Sequence, residues 1–239
     1  MARNLKDYKG PQKEREFEAP LLEPGNYPAR LVSIVFLGTQ KQQPFQGQEK
    51  DPHEAVTYTY ELSHEFMVNK EGVPAEDKPR WFSEDLLVYG PEADKAKITL
   101  RNKAIDPGNS ADGDVSALLS LPCNVLLVHK VGTGKHAGRT FERIGGVSAA
   151  AKMPGYVQPK LVNKTIYFDP FDAAACDLEV FKKFPEFVRK KIMSADDYHL
   201  SVLAKLLGNA TAPQEGNDDD ATEGNVSTGT DTVQEDNPW

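Results

Sequence analysis

Val56-Thr57-Tyr58-Thr59-Tyr60-Glu61-Leu62-Ser63-His64-Glu65-Phe66-Met67-Val68 alternates cleanly. Val56, Tyr58, Tyr60, Leu62, His64 and Phe66 fall on one side, and Thr57, Thr59, Glu61, Ser63 and Glu65 on the other. A period of two over this length is the pattern of a half-buried strand in an antiparallel sheet, not of a helix. Upstream, Pro24-Gly25-Asn26 signals a turn and Tyr27 to Leu37 is rich in β-branched and aromatic residues, which predicts a first strand. Downstream, a Gly/Pro loop over 70–79 leads to a third strand, Arg80 to Tyr89. Residues 91–121 are mixed, with Asp114 placed to cap a short helix through Val115–Leu119 that ends before Pro122. Asn124 to Val131 and Arg139 to Val147 read as a fourth and fifth strand about the glycine-rich segment Gly132-Thr133-Gly134-Lys135-His136-Ala137-Gly138.

From Asp172 the period lengthens. Phe181, Phe184, Val188 and Ile192 make a helical stripe that Pro185 divides in two, and Ser194-Ala195-Asp196-Asp197 predicts the start of a last helix ending at Gly208. The expected organisation is a flexible arm over 1–20, a mainly β domain over 21–171, a helical appendix over 172–208 and a disordered acidic tail over 209–239. Strand-strand-strand-helix-strand-strand is the order of an OB-fold, so the expected fold is a five-stranded OB-fold-like barrel with insertions.

The chain has 239 residues, of which 39% are hydrophobic, enough for a core. Its longest mainly apolar run, Leu31 to Leu37, is too short to span a bilayer, and Met1 to Asp7 lacks a signal peptide's apolar stretch. Two cysteines, Cys123 and Cys176, supply neither a disulfide framework nor a CxxC metal spacing. The expectation is a soluble cytoplasmic protein. The net charge of −8 is unevenly placed. Residues 208–239 hold eight acids and no Lys, Arg or His, so the body is neutral and free to carry a basic face.

Catalytic and metal chemistry find little support. His53, His64, His129, His136 and His199 are scattered without HxH or HExxH spacing, and no G-x-S-x-G occurs. No P-loop exists at Lys135: His129 stands five residues before Gly134, and His136 follows the lysine. The hairpin segment instead gathers Lys130, Lys135, His136, Arg139 and Arg143. Arg139, Phe141 and Arg143 share one strand face by period-two spacing. Cations that pair with phosphates beside a ring that stacks on bases are what a single strand requires, each stack being worth about 1–3 kcal/mol whatever the base. Arg80, Trp81, Lys41 and Phe45, the last an aromatic in a Gln-rich loop, extend the candidate set. The plain alternative places Phe141 and Trp81 in the core and leaves the arginines solvated.

The chain ends Gln234-Glu235-Asp236-Asn237-Pro238-Trp239 after a linker bearing Asp218-Asp219-Asp220. This arrangement resembles the bacterial and phage single-stranded DNA-binding proteins, in which an OB-fold precedes an acidic tail with a terminal aromatic, often after proline. The insertion-rich body looks more like the phage-encoded versions. The chain departs from the pattern in two ways: the final residue is Trp rather than Phe, and the acids are spread along the tail. The resemblance implies that the protein coats single-stranded DNA without sequence specificity in replication, recombination or repair. It implies no cofactor and a location in the host cytoplasm. Asp218, Asp219, Asp220, Glu235, Asp236, Pro238 and Trp239 would compete with DNA and then recruit a polymerase or helicase. Monomer and homodimer both stay open, as do two other classes: a structural or interaction protein with an OB-like barrel, and a metal-dependent nuclease.

Overall fold

The computed structural model describes residues 20–44, 47–69, 71–151, 155 and 157–208. Six strands form one mainly β sheet: β1 (Gly25–Gln40), β2 (His53–Val68), β3 (Pro74–Leu87), β4 (Pro122–Val131), β5 (Thr140–Ala149) and β6 (Ile166–Phe168). The order is β3-β2-β1-β4-β5, with β6 added to β1. All pairings are antiparallel except β1 with β6, which is parallel. β3 and β5 are edges with no backbone ladder between them, so the sheet is not closed into a barrel.

β1 is the spine. One edge carries β2 from Ala29 to Gln40; the other carries β4 along Gly25–Arg30 and then β6 along Ser33–Val35. Between those two partners the backbone of Leu31 bonds to Ser120 and Leu121. Register shifts between Leu31 and Ser33, and between Phe36 and Gly38, interrupt the ladder with β2. Such irregularities bend a strand and increase its twist.

Each face of the sheet covers a core. On one, Leu31, Ile34, Val56, Tyr58, Tyr60, Leu62, Phe82, Val125 and Leu127 pack with Ile98 and Ile105 of α1 (Lys97–Ile105). On the other, Val35, Leu37 and Ala55 meet Phe168 and the C-terminal helices α2 (Leu178–Lys183), α3 (Glu186–Met193) and α4 (Val202–Leu206). The Phe168, Phe181 and Phe184 rings meet there, with Phe168 and Phe184 edge-to-face at 5.1 Å.

The expectation of a half-buried β2 is corrected, because its polar face is covered as well. Thr57, Thr59 and Glu61 are only 9%, 8% and 3% exposed. They remain tolerable inside because each finds a partner: Thr57 donates to Asp85 at 2.7 Å and Thr59 pairs with Ser83 at 2.9 Å. Glu61 accepts from Trp81 Nε1 at 3.1 Å, from the Val162 amide at 2.6 Å and from Asn163 Nδ2 at 2.7 Å.

Pro185 divides α2 from α3 as the sequence leads one to expect, and Asp114 caps a single 3-10 turn over Val115–Leu118 by accepting from the Ser116 amide. The last helix starts later than its capping pattern suggests. Ser201, not Ser194, caps α4, because Asp197 is drawn to β1, where it accepts from the Thr39 amide and hydroxyl at 2.9 and 2.6 Å. The expected arm over 1–20 and the tail over 209–239 lie outside the described residues, save Pro20.

Candidate nucleic-acid interface

The β4–β5 hairpin assembles the basic residues of the middle of the chain. Lys130 stands directly opposite Phe141, and Val128 opposite Arg143, so all four side chains share one face. The Gly132 amide donates to the Arg139 carbonyl at 2.8 Å, which brings Arg139 into the same row. The Arg139 and Arg143 guanidinium carbons lie 5.5 and 5.1 Å from the centroid of the Phe141 ring, within cation–π range. The His136 ring meets Phe141 edge-on, with centroids 5.8 Å apart and planes at 89°.

Gly132 makes this arrangement possible. A Cβ there would stand 2.7 Å from Phe141 Cε2 and 2.5 Å from the His136 carbonyl oxygen, so a side chain would push the ring aside. In the turn, Gly138 has φ +84°, a left-handed conformation that favours glycine. Gly132 is a positioning residue that residue type alone did not single out; only the β4–β5 register shows what its missing side chain makes room for.

Glu142, between Phe141 and Arg143 in sequence, alternates to the interior. It is 4% exposed, forms an ion pair with Arg80 at 3.1 Å and accepts from the Leu22 amide at 2.6 Å. Its charge is therefore withdrawn from the basic face. The hairpin thus presents a ring, two guanidinium groups and an ammonium group together, and guanidinium planes also stack on bases.

The other expected contacts lie elsewhere. Arg80 is 7% exposed and engaged with Glu142 and with the Pro20 carbonyl at 2.8 Å, which makes it a framework residue. Trp81 is half-buried beside Glu61, on the face that residues 162–163 cover. Lys41 is exposed just beyond the end of β1, at the far end of the strands from the hairpin turn. The Lys135 side chain, Phe45 and the tail residues Asp218, Asp219, Asp220, Glu235, Asp236, Pro238 and Trp239 lie outside the described residues. Glu84 and Asp85, adjacent on β3, point apart: Glu84 meets Arg101 at 2.8 Å and Lys97 at 3.1 Å in the interior, while Asp85 pairs with Lys191 on the other face.

Among the described residues no three His, Cys, Asp or Glu side chains group as metal ligands. Burial raises the Cys123 thiol to about 12, which leaves it a core group rather than a nucleophile. Among the described residues no helix is long and apolar enough to cross a membrane. Comparisons with protein-family models, curated proteins and solved structures gave no significant match.

Proposed function

We propose that this protein binds single-stranded DNA without reading base edges, through the outer face of the β4–β5 hairpin. The observation that carries the reading is the Phe141 ring set between Arg139 and Arg143, with Lys130 opposite and Glu142 turned inward. Rings and cations in one row suit a strand whose bases are unstacked and whose phosphates are accessible.

The finer fold reading is a partly open OB-type barrel. The strand order, a helix between β3 and β4, and an Arg80–Glu142 ion pair linking the β3 and β5 edges support it. OB-folds bind nucleic acid on the strand 2–3 face and its flanking loops. Here residues 158–163 and α3 lie against that face through Glu61 and Asp85. The β4–β5 face is accordingly the route for the strand. The acidic tail competes for the same cations, and its release offers Trp239 to a replication protein.

Fluorescence anisotropy with labelled oligo-dT and matched duplex, at low and moderate salt, tests the reading. Tight, salt-sensitive binding to oligo-dT and weak duplex binding are expected, and removal of residues 213–239 should tighten the former. Flat curves with and without the tail would favour the interaction-protein reading, and metal-dependent loss of the oligonucleotide would favour a nuclease.

A further inference from the structure

Beyond the Phe141 row the outer face of β4 and β5 continues toward the start of β4. Directly opposed residues share a face in an antiparallel pair. The register sets Lys130 with Phe141, Val128 with Arg143, Leu126 with Gly146 and Asn124 with Ser148. Their neighbours Cys123, Val125, Ile144 and Val147 turn inward to the first core, which fixes the alternation. No acid stands among those eight outward residues; Ser148 is exposed, and Leu126 and Val128 are half-buried.

Gly145 is the extra residue of a bulge, since Leu126 pairs with Gly146 and Leu127 with Ile144. A Cβ on Gly145 would stand 2.8 Å from Val128 Cγ1, and one on Gly146 would stand 3.9 Å from Leu126 Cβ. Both glycines therefore open onto the outer face, where β5 offers backbone beside two aliphatic side chains. Glycine inside a strand suits the close approach of a ligand.

This face also has an end. β1 sets the exposed Asn26 level with Leu126, and Pro28 level with Asn124. Two residues further along β1, Arg30 donates to the Pro159 and Gln158 carbonyls at 2.6 and 2.9 Å, so the chain at 158–159 closes the face there. The open part runs from Lys130 to Asn124, about 20 Å at roughly 3.4 Å per residue. It starts at the guanidinium groups around Phe141, and its remaining residues carry no charge that would repel a polyanion.

We infer that the bound DNA strand continues from Phe141 down this face, its bases against Val128, Leu126 and Gly146, and leaves it at the segment that Arg30 holds. This inference rests on the proposed single-strand binding and gives that strand its route.

The test reverses charge at one position on the route, in the full chain with labelled oligo-dT. Gly146 has no left-handed φ, and a Cβ there meets only ordinary contacts, so side chains are tolerated. Gly146→Glu should weaken binding about 10-fold at low salt, with the loss shrinking as salt rises. Gly146→Lys should tighten it and steepen the salt slope by about 0.7, one further phosphate. Leu100 is 50% exposed on α1, across the first core from this face, and serves as the control for net charge. A Glu-to-Lys difference at Gly146 no larger than the same difference at Leu100, with binding still lost in Phe141→Leu, would overturn the route and leave the proposed function intact. No binding by the unaltered protein would remove both. Hydrogen exchange on the unaltered protein is independent of folding in the variants. Bound oligo-dT should slow exchange over 144–148, and protection confined to 130–143 would overturn the route.

Discussion

At the scale of single residues, what a side chain does depends on which face of a strand it occupies. Glu142 and Arg143 are neighbours in sequence, yet one is an interior ion-pair partner and the other flanks Phe141. The Arg–Phe–Arg row was legible because period two needs no tertiary knowledge. The role of Arg80 was not, since its partner is 62 residues away. If Arg139 and Arg143 each neutralise one phosphate, Arg139→Ala and Arg143→Ala should each reduce the salt slope of oligo-dT binding by about 0.7. Titrations at four or five salt concentrations would show it, and an unchanged slope would remove that arginine from the contact. Glu54 supplies a pH prediction. Burial, then the nearby Asp169 and Asp197, raises its pKa. The folded state therefore holds this proton more tightly than the unfolded chain does, and stability falls as pH rises from the ordinary carboxylate range through the raised value. Glu54→Gln should raise the melting temperature at pH 7, with the gain vanishing once the pH is below that range. A gain that persists at low pH would assign the effect to something other than ionisation.

At the scale of elements, strands announced themselves and their covering did not. β2 reads as amphipathic, but its polar face is buried: Thr57 and Thr59 find partners directly across on β3, and Glu61 finds one in Asn163, 102 residues away. α1 was missed: Ala96 before it makes no side-chain cap, and its buried positions include Thr99 and Arg101, which carry no apolar signal. β6, three residues long, is too short to show a period. Pro185 and Asp114, whose effects are local, act as their chemistry requires. The Arg80–Glu142 pair links the two sheet edges, and its removal should be felt in stability first. Glu142→Ala strands a buried guanidinium and should cost about 3–5 kcal/mol in urea unfolding. Replacing both partners with apolar residues, Arg80→Met with Glu142→Leu, should recover most of that loss. The double variant should bind oligo-dT like the unaltered protein if Arg80 is framework. A large affinity loss in the stable double variant would return Arg80 to the DNA contacts.

At the scale of the whole molecule, one strand ties together parts of the chain made at very different times. β1 meets β4 through residues 122–127 and β6 through 166–168, while Thr39 bonds to Asp197. During synthesis the stretch Ser33–Val35 has no partner on that edge until residue 166 has left the ribosome, and an open strand edge is a template for another chain. Partners so distant in sequence also slow the search for the native pairing. A chain stopped near residue 160 should therefore aggregate on expression, whereas one stopped at 208 should accumulate as native protein. Pelleting assays of the two truncations would separate them, and a monodisperse shorter product would show that this edge is protected in some other way. Residues 166–197 are thus a late-arriving clasp, and the interval before they arrive is when this protein is most in need of a chaperone.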